Sequence, residues 1–573
     1  MNRLRLRAVV LVLAVGVGVV AARAVQVSVV QHDRWAAKAR GQHEELVRVA
    51  GPRGEIRSAD GYVLATSVPR VALQVDTDNL DVPAAFVRAA APLLGLDEDS
   101  LLDRLSNKRG SVWLAKRLEP ETAEAVRELA PGAVALVPDT ERLYPHGSLA
   151  APLLGFVGRE ELEVVGRAGF EHYYNDLLSG EPDSYLMRRD GIPRRLAVER
   201  VRAGRSGYDL ELTLLARLQA ACEAELERVI REEGADGGSV VVMEPDTGTL
   251  LALASAPSFD PSDPPSDPRR WRLRPVQDAL EPGSTMKPLV AAAAVAAGSV
   301  RESDRFDCRR KGITVEGHWI RDHADPGIYT LPEVIAVSAN AGIIEVAHRT
   351  PPADLWRGLD AFGFGRATGI GLPAEASGIL QPPERWSRMS RSGLALGQEL
   401  TTSPLQIAVA YAAVANGGWL PRPRLVAGAV GSDGDLRGDG IVRTRVLDER
   451  LAASVRRWLE DVVDEGTGES ARVPGYRVAG KTGTAQRAVA GRFDNTHHTS
   501  WFAGFLPAES PRVVIVVAVE NPRGSFWAST VAAPVFSHIG EQAVSLLAIP
   551  PSDPDRAPLR IARVADGDRG GPV

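Results

Sequence analysis

The apolar residues of this chain change their spacing from region to region. Ala8 to Ala22 is an unbroken apolar run; Arg23 interrupts it, and Ala24 to Val30 continues it weakly. As a helix the unbroken run spans about 22 Å, short of a ~30 Å hydrocarbon core. Extended to Val30 it is long enough to cross, with Arg23 snorkelling towards the interface. From Gln31 to about Val47 the pattern predicts a polar helical stalk, and to about Arg205 a mixture of short strands and helices. Ile56, Asp60-Gly61 and Val63-Leu64-Ala65 read as strand–turn–strand, with Gly61 in the turn.

Leu214 to Glu233 has the period of an amphipathic helix. Ser239–Met243 and Thr249–Ala256 read as strands joined by Pro245-Asp246-Thr247-Gly248. Tyr476–Ala485, Ser500–Leu506 and Arg512–Glu520 follow far downstream. These five predict one antiparallel sheet, covered by the mostly helical stretch between the two groups. The Pro-, Asp- and Arg-rich tail after Ile549 has the composition of a disordered segment.

The 573 residues are enough for about three or four domains. The predicted organisation is a cytoplasmic tip (1–7), a transmembrane anchor (8–30), a stalk and pedestal (31–205), a catalytic domain (206–548) and a tail (549–573). The net charge of -6 gives no footprint for nucleic acid. Arg3, Arg5 and Arg7 precede the apolar run, which puts that end in the cytoplasm and the bulk outside. Cleavage as a signal peptide at Ala22-Arg23-Ala24 is the competing reading, and it exports the chain equally. Cys222 and Cys308 are the two cysteines, which excludes a disulfide-dense scaffold but leaves two thiols or one bridge open. Lys38, Lys108, Lys116, Lys287, Lys311 and Lys481 are the six lysines among 67 basic residues. Lysine retained in an arginine-rich chain draws attention, because arginine cannot be deprotonated in proteins.

Ser284-Thr285-Met286-Lys287-Pro288 opens an apolar run that Gly298 stops, which predicts a buried helix. Pro288 is tolerated only near a helix start, so Ser284 sits at that start and Lys287 one turn on. This is a nucleophile with an amine base beside it. Ser338-Ala339-Asn340 falls between helical segments. Lys481-Thr482-Gly483-Thr484 ends a predicted strand, where flanking glycines allow a ligand close approach and a lysine with two hydroxyls suits a carboxylate. Gly475 to Thr482 also fits the spacing of a phosphate-binding loop, but its apolar strand residues lie inside that loop and no apolar helix follows. Cys308, His318, Asp322 and His323 crowd one loop without a recognised metal-ligand spacing.

Ser-x-x-Lys, Ser-x-Asn and Lys-Thr-Gly in that order are the motif set of penicillin-binding proteins and serine β-lactamases. The chain resembles the class B penicillin-binding proteins over nearly all of its exported length. Arg53-Gly54-Glu55-Ile56 and Gly166 to Glu171 are similar to elements of the class B pedestal. Gly397-Gln398, Thr402 to Gln406, Asn416-Gly417-Gly418 and Ala532 to Phe536 are similar to class B transpeptidases. Glu281 to Thr285 is closest to the division-specific branch. Ser58-Ala59 departs from the family's usual Asp-Arg, and His497-His498 before Trp501 has the flavour of the elongation branch.

The resemblance implies an α/β (α+β) fold: a penicillin-binding/serine β-lactamase-like transpeptidase domain with a five-stranded antiparallel sheet flanked by helices, behind a mixed α+β pedestal and an N-terminal transmembrane helix. It implies that Ser284 is acylated by a D-Ala-D-Ala stem, that neutral Lys287 takes its proton, and that Ser338 relays a proton to the leaving D-Ala. Asn340 orients Lys287 and the substrate amide. Lys481, Thr482 and Thr484 hold the substrate carboxylate, with Gly483 between them, and the N–H groups of Ser284 and Thr484 form the oxyanion hole. It implies no metal and no cofactor. The implied partners are peptidoglycan peptide stems, β-lactams, a polytopic membrane glycosyltransferase and other division proteins. A β-lactam sensor or hydrolase shares the acylation chemistry and differs in deacylation.

Overall fold

The computed structural model describes residues 3–35, 44–107, 110–160, 163–189, 196–431, 434–438, 440–489 and 492–552. Helix Arg3–Val25 runs into a five-residue π-helical turn, Gln26–Val30. Leu6–Val30 is long and apolar enough to cross a membrane, and none of its best window is buried against the rest of the protein. The tail from residue 553 onward lies outside the described residues.

The predicted stalk helix does not reach Val47. Glu44–Val49 is a strand paired antiparallel with Asp183–Arg189, which also pairs with Leu196–Arg202. The reason is a two-residue period: Val47 and Val49 pack on Ala72, Ala135 and Val137, while Arg48 between them is exposed. The 14-residue strand Val63–Asp76 is the spine of this half. It pairs with Ile56–Arg57, Ser111–Leu118 and Val134–Leu143. The turn into it forms as predicted: Gly61 sits at φ 85 and its N–H donates to the Ser58 carbonyl (3.0 Å). Helices Pro83–Leu94, Glu98–Ser106 and Pro120–Leu129 close over Leu73, Val75 and Val112.

Two of the elements singled out in the sequence meet in a buried cluster. Arg53 Nε donates to Glu171 Oε2 (2.5 Å), and Arg142 Nε to Glu171 Oε1 (2.7 Å). Strand Asp209–Leu212 then lies parallel to Ile56–Arg57 and antiparallel to Val426–Val430. A strand from late in the chain thus extends the sheet begun by an early one, and Ile56, Leu64, Leu210 and Leu212 join the core of the C-terminal half.

That half is built on five antiparallel strands in the order Leu250–Ala256, Gly237–Met243, Val513–Glu520, Arg492–Leu506 and Ala479–Val489. Their alternation sorts the side chains. Val240, Val242, Ile515 and Val517 face helices Ala216–Glu233 and Ala532–Leu546. Val241, Met243, Val514 and Val516 face the helical side formed by Lys287–Ala296, Pro404–Ala415 and Glu449–Asp464. The last strand begins three residues later than predicted. It runs on to Val489, past its predicted end at Ala485, because its backbone continues to pair with Arg492–Leu506 as a long hairpin. Lys481 lies inside this strand, not at a helix start, as the rejection of a phosphate loop requires. Cys222 and Cys308 are both buried free thiols.

Candidate active site

The Ser284 turn is assembled from backbone constraints. Gly283–Met286 is a 3-10 turn that passes directly into the α-helix Lys287–Ala296, with the Lys287 N–H bonded to the Ser284 carbonyl. The predicted helix start therefore holds, in the tighter 3-10 form that helix N-termini often take. Pro288 occupies the first turn, where it removes no helical bond. Gly283 sits at φ 57 and its N–H donates to the Gly397 carbonyl (3.1 Å). A Cβ there would also lie 3.2 Å from the Thr484 carbonyl, so the Ser284 turn is pressed against the edge strand Ala479–Val489. The Tyr411 hydroxyl donates to the Thr285 carbonyl (2.8 Å) and the Trp501 indole N–H to the Glu281 carbonyl (3.1 Å), pinning the turn from beneath and behind.

Lys287 is fully buried among neutral oxygens. Its Nζ donates to the Ser338 carbonyl (2.6 Å), Ser338 Oγ (3.1 Å) and Asn340 Oδ1 (2.7 Å). Ser338 presents both oxygens by adopting φ 59, a left-handed conformation that costs a non-glycine residue of order 1–3 kcal/mol. Burial pushes the Lys287 ammonium down to about 8, against the opposing pull of Asp322 and Cys308.

Asn340 is fixed by its neighbours. Its Nδ2 donates to the Arg321 carbonyl (2.9 Å). The N–H groups of Asn340 and Ala341 donate to the two carboxylate oxygens of buried Asp322 (3.0 and 2.8 Å). Asp322, one of the residues crowded near Cys308 in the sequence, is thus the tertiary cap of helix Asn340–Arg349.

Lys481, also fully buried, donates to Thr467 Oγ1 (3.3 Å) and to the carbonyl and Oγ1 of Thr482 (both 3.2 Å). The Thr467 and Thr482 hydroxyls are 2.8 Å apart. Thr484 Oγ1 accepts from the Ala528 N–H (3.2 Å). Gly483 is required by crowding: a Cβ there would come within 2.7 Å of the Pro282 carbonyl and 2.8 Å of the Thr285 methyl. Burial, reinforced by the nearby Lys287 charge, holds the Lys481 ammonium well below its ordinary range.

The fold therefore brings all eight sequence-predicted site residues to one cleft. Ser284, Ser338, Asn340 and Thr484 are half-buried at its surface, and the two lysines lie beneath them. Sequence reasoning missed Thr467 and the capping role of Asp322. The available signal for the first was Gly466-Thr467-Gly468, a hydroxyl flanked by glycines like those around Lys481.

Comparison with known proteins agrees with this geometry. Residues 238–541 match the model of the penicillin binding protein transpeptidase domain, and residues 48–212 that of the penicillin-binding protein dimerisation domain. The chain is 32% identical to the stage V sporulation protein D of Bacillus subtilis, over 87% of this chain and 79% of that one. It is 31% identical to the peptidoglycan D,D-transpeptidase FtsI of Escherichia coli K12, over 90% and 87% respectively. The crystal structure of a peptidoglycan synthetase from Bifidobacterium adolescentis superposes with a TM-score of 0.72 at 27% identity, covering 89% of this chain and 98% of that one. With a matched family domain over more than half its length and a Ser-x-x-Lys turn, lysine pair and Ser-x-Asn loop brought together by the fold, this chain belongs to the penicillin-binding protein transpeptidase family.

Proposed function

We propose that the protein is a serine D,D-transpeptidase that crosslinks peptidoglycan stems through a Ser284 acyl-enzyme. The observation that carries this reading is the buried Lys287 with its three neutral acceptors. A lysine so placed loses its proton readily, and a neutral amine has a lone pair to accept the Ser284 proton. Ser284 Oγ attacks the carbonyl of the terminal D-Ala-D-Ala bond as Lys287 takes that proton. The N–H groups of Ser284 and Thr484 receive the negative oxygen, a contribution of about 3 kcal/mol per donor in comparable sites. The C–N bond breaks as Ser338 passes a proton to the departing D-Ala amine, leaving the acyl ester on Ser284. An amine from a second stem attacks that ester, forms the crosslink and returns the serine. Lys481, Thr482 and Thr484 hold the terminal carboxylate of the donor.

The rest of the chain is organised around this step. Residues 8–30 form the single anchor in the cytoplasmic membrane, with 1–7 inside and the bulk outside. Residues 31–205 form a pedestal that docks a membrane glycosyltransferase, 206–548 the transpeptidase, and 549–573 a tail. The resemblance to FtsI supports a septal role with other division proteins.

Labelled penicillin tests the reading. It will attach to Ser284 in membranes, Ser284→Ala will lose the label, and the adduct will persist for minutes or longer. An adduct elsewhere on the folded protein would overturn the assignment, and rapid turnover of penicillin would identify a hydrolase instead.

A further inference from the structure

Two stretches singled out in the sequence, Thr402 to Gln406 and Asn416-Gly417-Gly418, take no part in the chemistry above. The fold uses both to build one cavity on the catalytic domain. Gln406 is buried in the first turn of helix Pro404–Ala415. Its Nε2 donates to the carbonyls of Arg366 (2.8 Å) and Ser377 (2.9 Å), which holds the backbone that carries Arg366. Asn416 Oδ1 accepts from the Trp419 N–H (2.8 Å), and Asn416 Nδ2 donates to the Trp419 carbonyl (2.7 Å). The chain therefore turns directly into strand Trp419–Pro421, which pairs antiparallel with Arg443–Arg445.

Between these parts lies a cavity of about 220 Å³. Phe362, Val409 and Leu420 give it apolar walls, and Arg366, Arg422 and Arg443 all line it. Each guanidinium is held by a neighbour. Arg366 Nη1 pairs with Asp360 (3.0 Å), and Arg422 Nε donates to the Gly369 carbonyl (2.7 Å). Arg443 lies over the Trp419 ring at 5.1 Å, with Arg445 at 5.2 Å from the same ring. Among the described residues no aspartate or glutamate lines the cavity. Of the carboxylates close by, Asp360 is the partner of Arg366, and Glu375 accepts from the Thr368 hydroxyl (2.5 Å). The whole chain carries 73 acidic residues against 67 basic ones, so a hollow lined by arginines alone is not its background composition. Cations gathered around one hollow repel each other, and an anion between them relieves that repulsion.

We infer that this cavity is an anion site that takes the phosphate group of a phosphate monoester. A guanidinium presents its N–H groups in a rigid fork that matches phosphate oxygens. Forks from Arg366, Arg422 and Arg443 suit the several free oxygens of such a phosphate, whereas a carboxylate offers only a pair. The apolar walls leave room for the carrier of the phosphate, a glycerol or the first carbons of a lipid. The site stands apart from the Ser284 chemistry and goes beyond the transpeptidase reading.

The test is calorimetric titration of the full-length protein in detergent with inorganic phosphate, glycerol 3-phosphate and dihexanoyl phosphatidic acid, and with acetate as the carboxylate control. The phosphates will bind and acetate will bind about tenfold more weakly. Arg366→Ala and Arg443→Ala will each weaken phosphate binding about tenfold, the loss of a hydrogen bond to a charged group. Arg443→Lys, which keeps the charge and loses the fork, will recover only part of that. Arg231→Ala removes an exposed arginine from helix Ala216–Glu233 and will leave binding nearly unchanged. Tighter binding of phosphatidic acid than of glycerol 3-phosphate assigns the site to a lipid headgroup, and equal binding assigns it to a soluble ester. No phosphate binding by the unaltered protein, acetate binding as tightly as phosphate, or equal losses in Arg231→Ala and Arg443→Ala would each overturn the site. Should the alanine variants not fold, the unaltered protein decides: its unfolding temperature will rise with phosphate and not with acetate. Labelled penicillin will attach to Ser284 equally in every folded variant, so failure of the anion site and failure of the transpeptidase reading are separately visible.

Discussion

The protein buries cationic side chains in two places, and the contrast between them separates structure from chemistry. In the pedestal, Arg53 and Arg142 close on the two oxygens of Glu171, which is wholly buried. The Nη1 donors of the pair reach Asn175 Oδ1, Ser179 Oγ and the Gly54 carbonyl. A guanidinium stays charged at any working pH, so this cluster is a fixed brace between segments 118 residues apart. In the catalytic cleft, Lys287 and Lys481 are just as deeply buried, but their hydrogen bonds go to hydroxyls, carbonyls and one amide. Burial without a directly bonded carboxylate disfavours the charged form and readies an amine to exchange protons. Burial is common to both sites; the partner decides whether the cation is held charged as a brace or gives up its proton more readily.

The largest effect comes from making the cleft resemble the pedestal. Lys287→Arg installs a cation that cannot become neutral. Acylation of Ser284 by labelled penicillin will fall by about 10²- to 10⁴-fold, the usual contribution of a general base. Circular dichroism and thermal unfolding will show a folded protein. A folded variant acylated at a near-normal rate would show that Lys287 is not the base.

The reverse experiment removes the carboxylate from the brace. Glu171→Ala leaves two buried guanidiniums facing each other, and breaking such a buried pair costs about 3–5 kcal/mol. Denaturant unfolding will register that loss. The fraction that folds will be acylated at the unaltered rate, because no step uses Glu171. Slower acylation with unchanged stability would erase the distinction between the two clusters.

The cleft was more legible in the sequence than the brace for a physical reason. Ser284 and Lys287 are one turn apart, so local helix geometry places them together, and Pro288 fixes where that turn begins. The central strands of the catalytic sheet are short continuous apolar runs, buried on both faces, and can be read singly. By contrast, Arg53, Arg142 and Glu171 come from separate segments, and their pairing depends on a fold that no local pattern encodes. Asp322 was visible as a residue but not as a cap, because its helix begins 18 residues later. Glu44–Val49 was misread as stalk helix because its two buried valines are spaced for a sheet edge supplied by Asp183–Arg189.

pH sharpens the comparison next. With the Lys287 ammonium pushed down to about 8 by burial, the neutral base is the minority form at pH 7. Acylation will rise about tenfold per pH unit from 6 towards 8 and level off above about 9. The same displacement acts on stability. The folded state binds fewer protons than the unfolded state between about 8 and the ordinary 10.5. The penalty of burying Lys287 is therefore fully present below 8 and relieved as pH rises through that window. An acylation profile flat from pH 6 to 9 would remove Lys287 from the rate-limiting proton transfer.

The smallest effect tests whether a carboxylate can be near the base without turning it into a brace. Asp322 does not hydrogen-bond Lys287; it accepts from the Asn340 and Ala341 amides, yet its charge raises the affinity of Lys287 for a proton. Asp322→Asn keeps an oxygen for the cap and removes the charge. Losing a carboxylate at a helix N-terminus costs about 0.3–1 kcal/mol, up to ~2 where it is partly buried. Unfolding will therefore shift slightly towards lower denaturant. The acylation profile will move the opposite way to an ordinary loss of function. Without the negative charge Lys287 gives up its proton more readily, so the rising limb shifts to lower pH. At pH 6 each folded molecule reacts faster than before, and above pH 9 the two proteins converge. Asp322→Ala, which also loses the cap oxygen, will share the shift but react more slowly at the plateau, because Asn340 is no longer held. A limb that moves to higher pH in Asp322→Asn, or does not move, would mean that the group setting it lies elsewhere than Lys287.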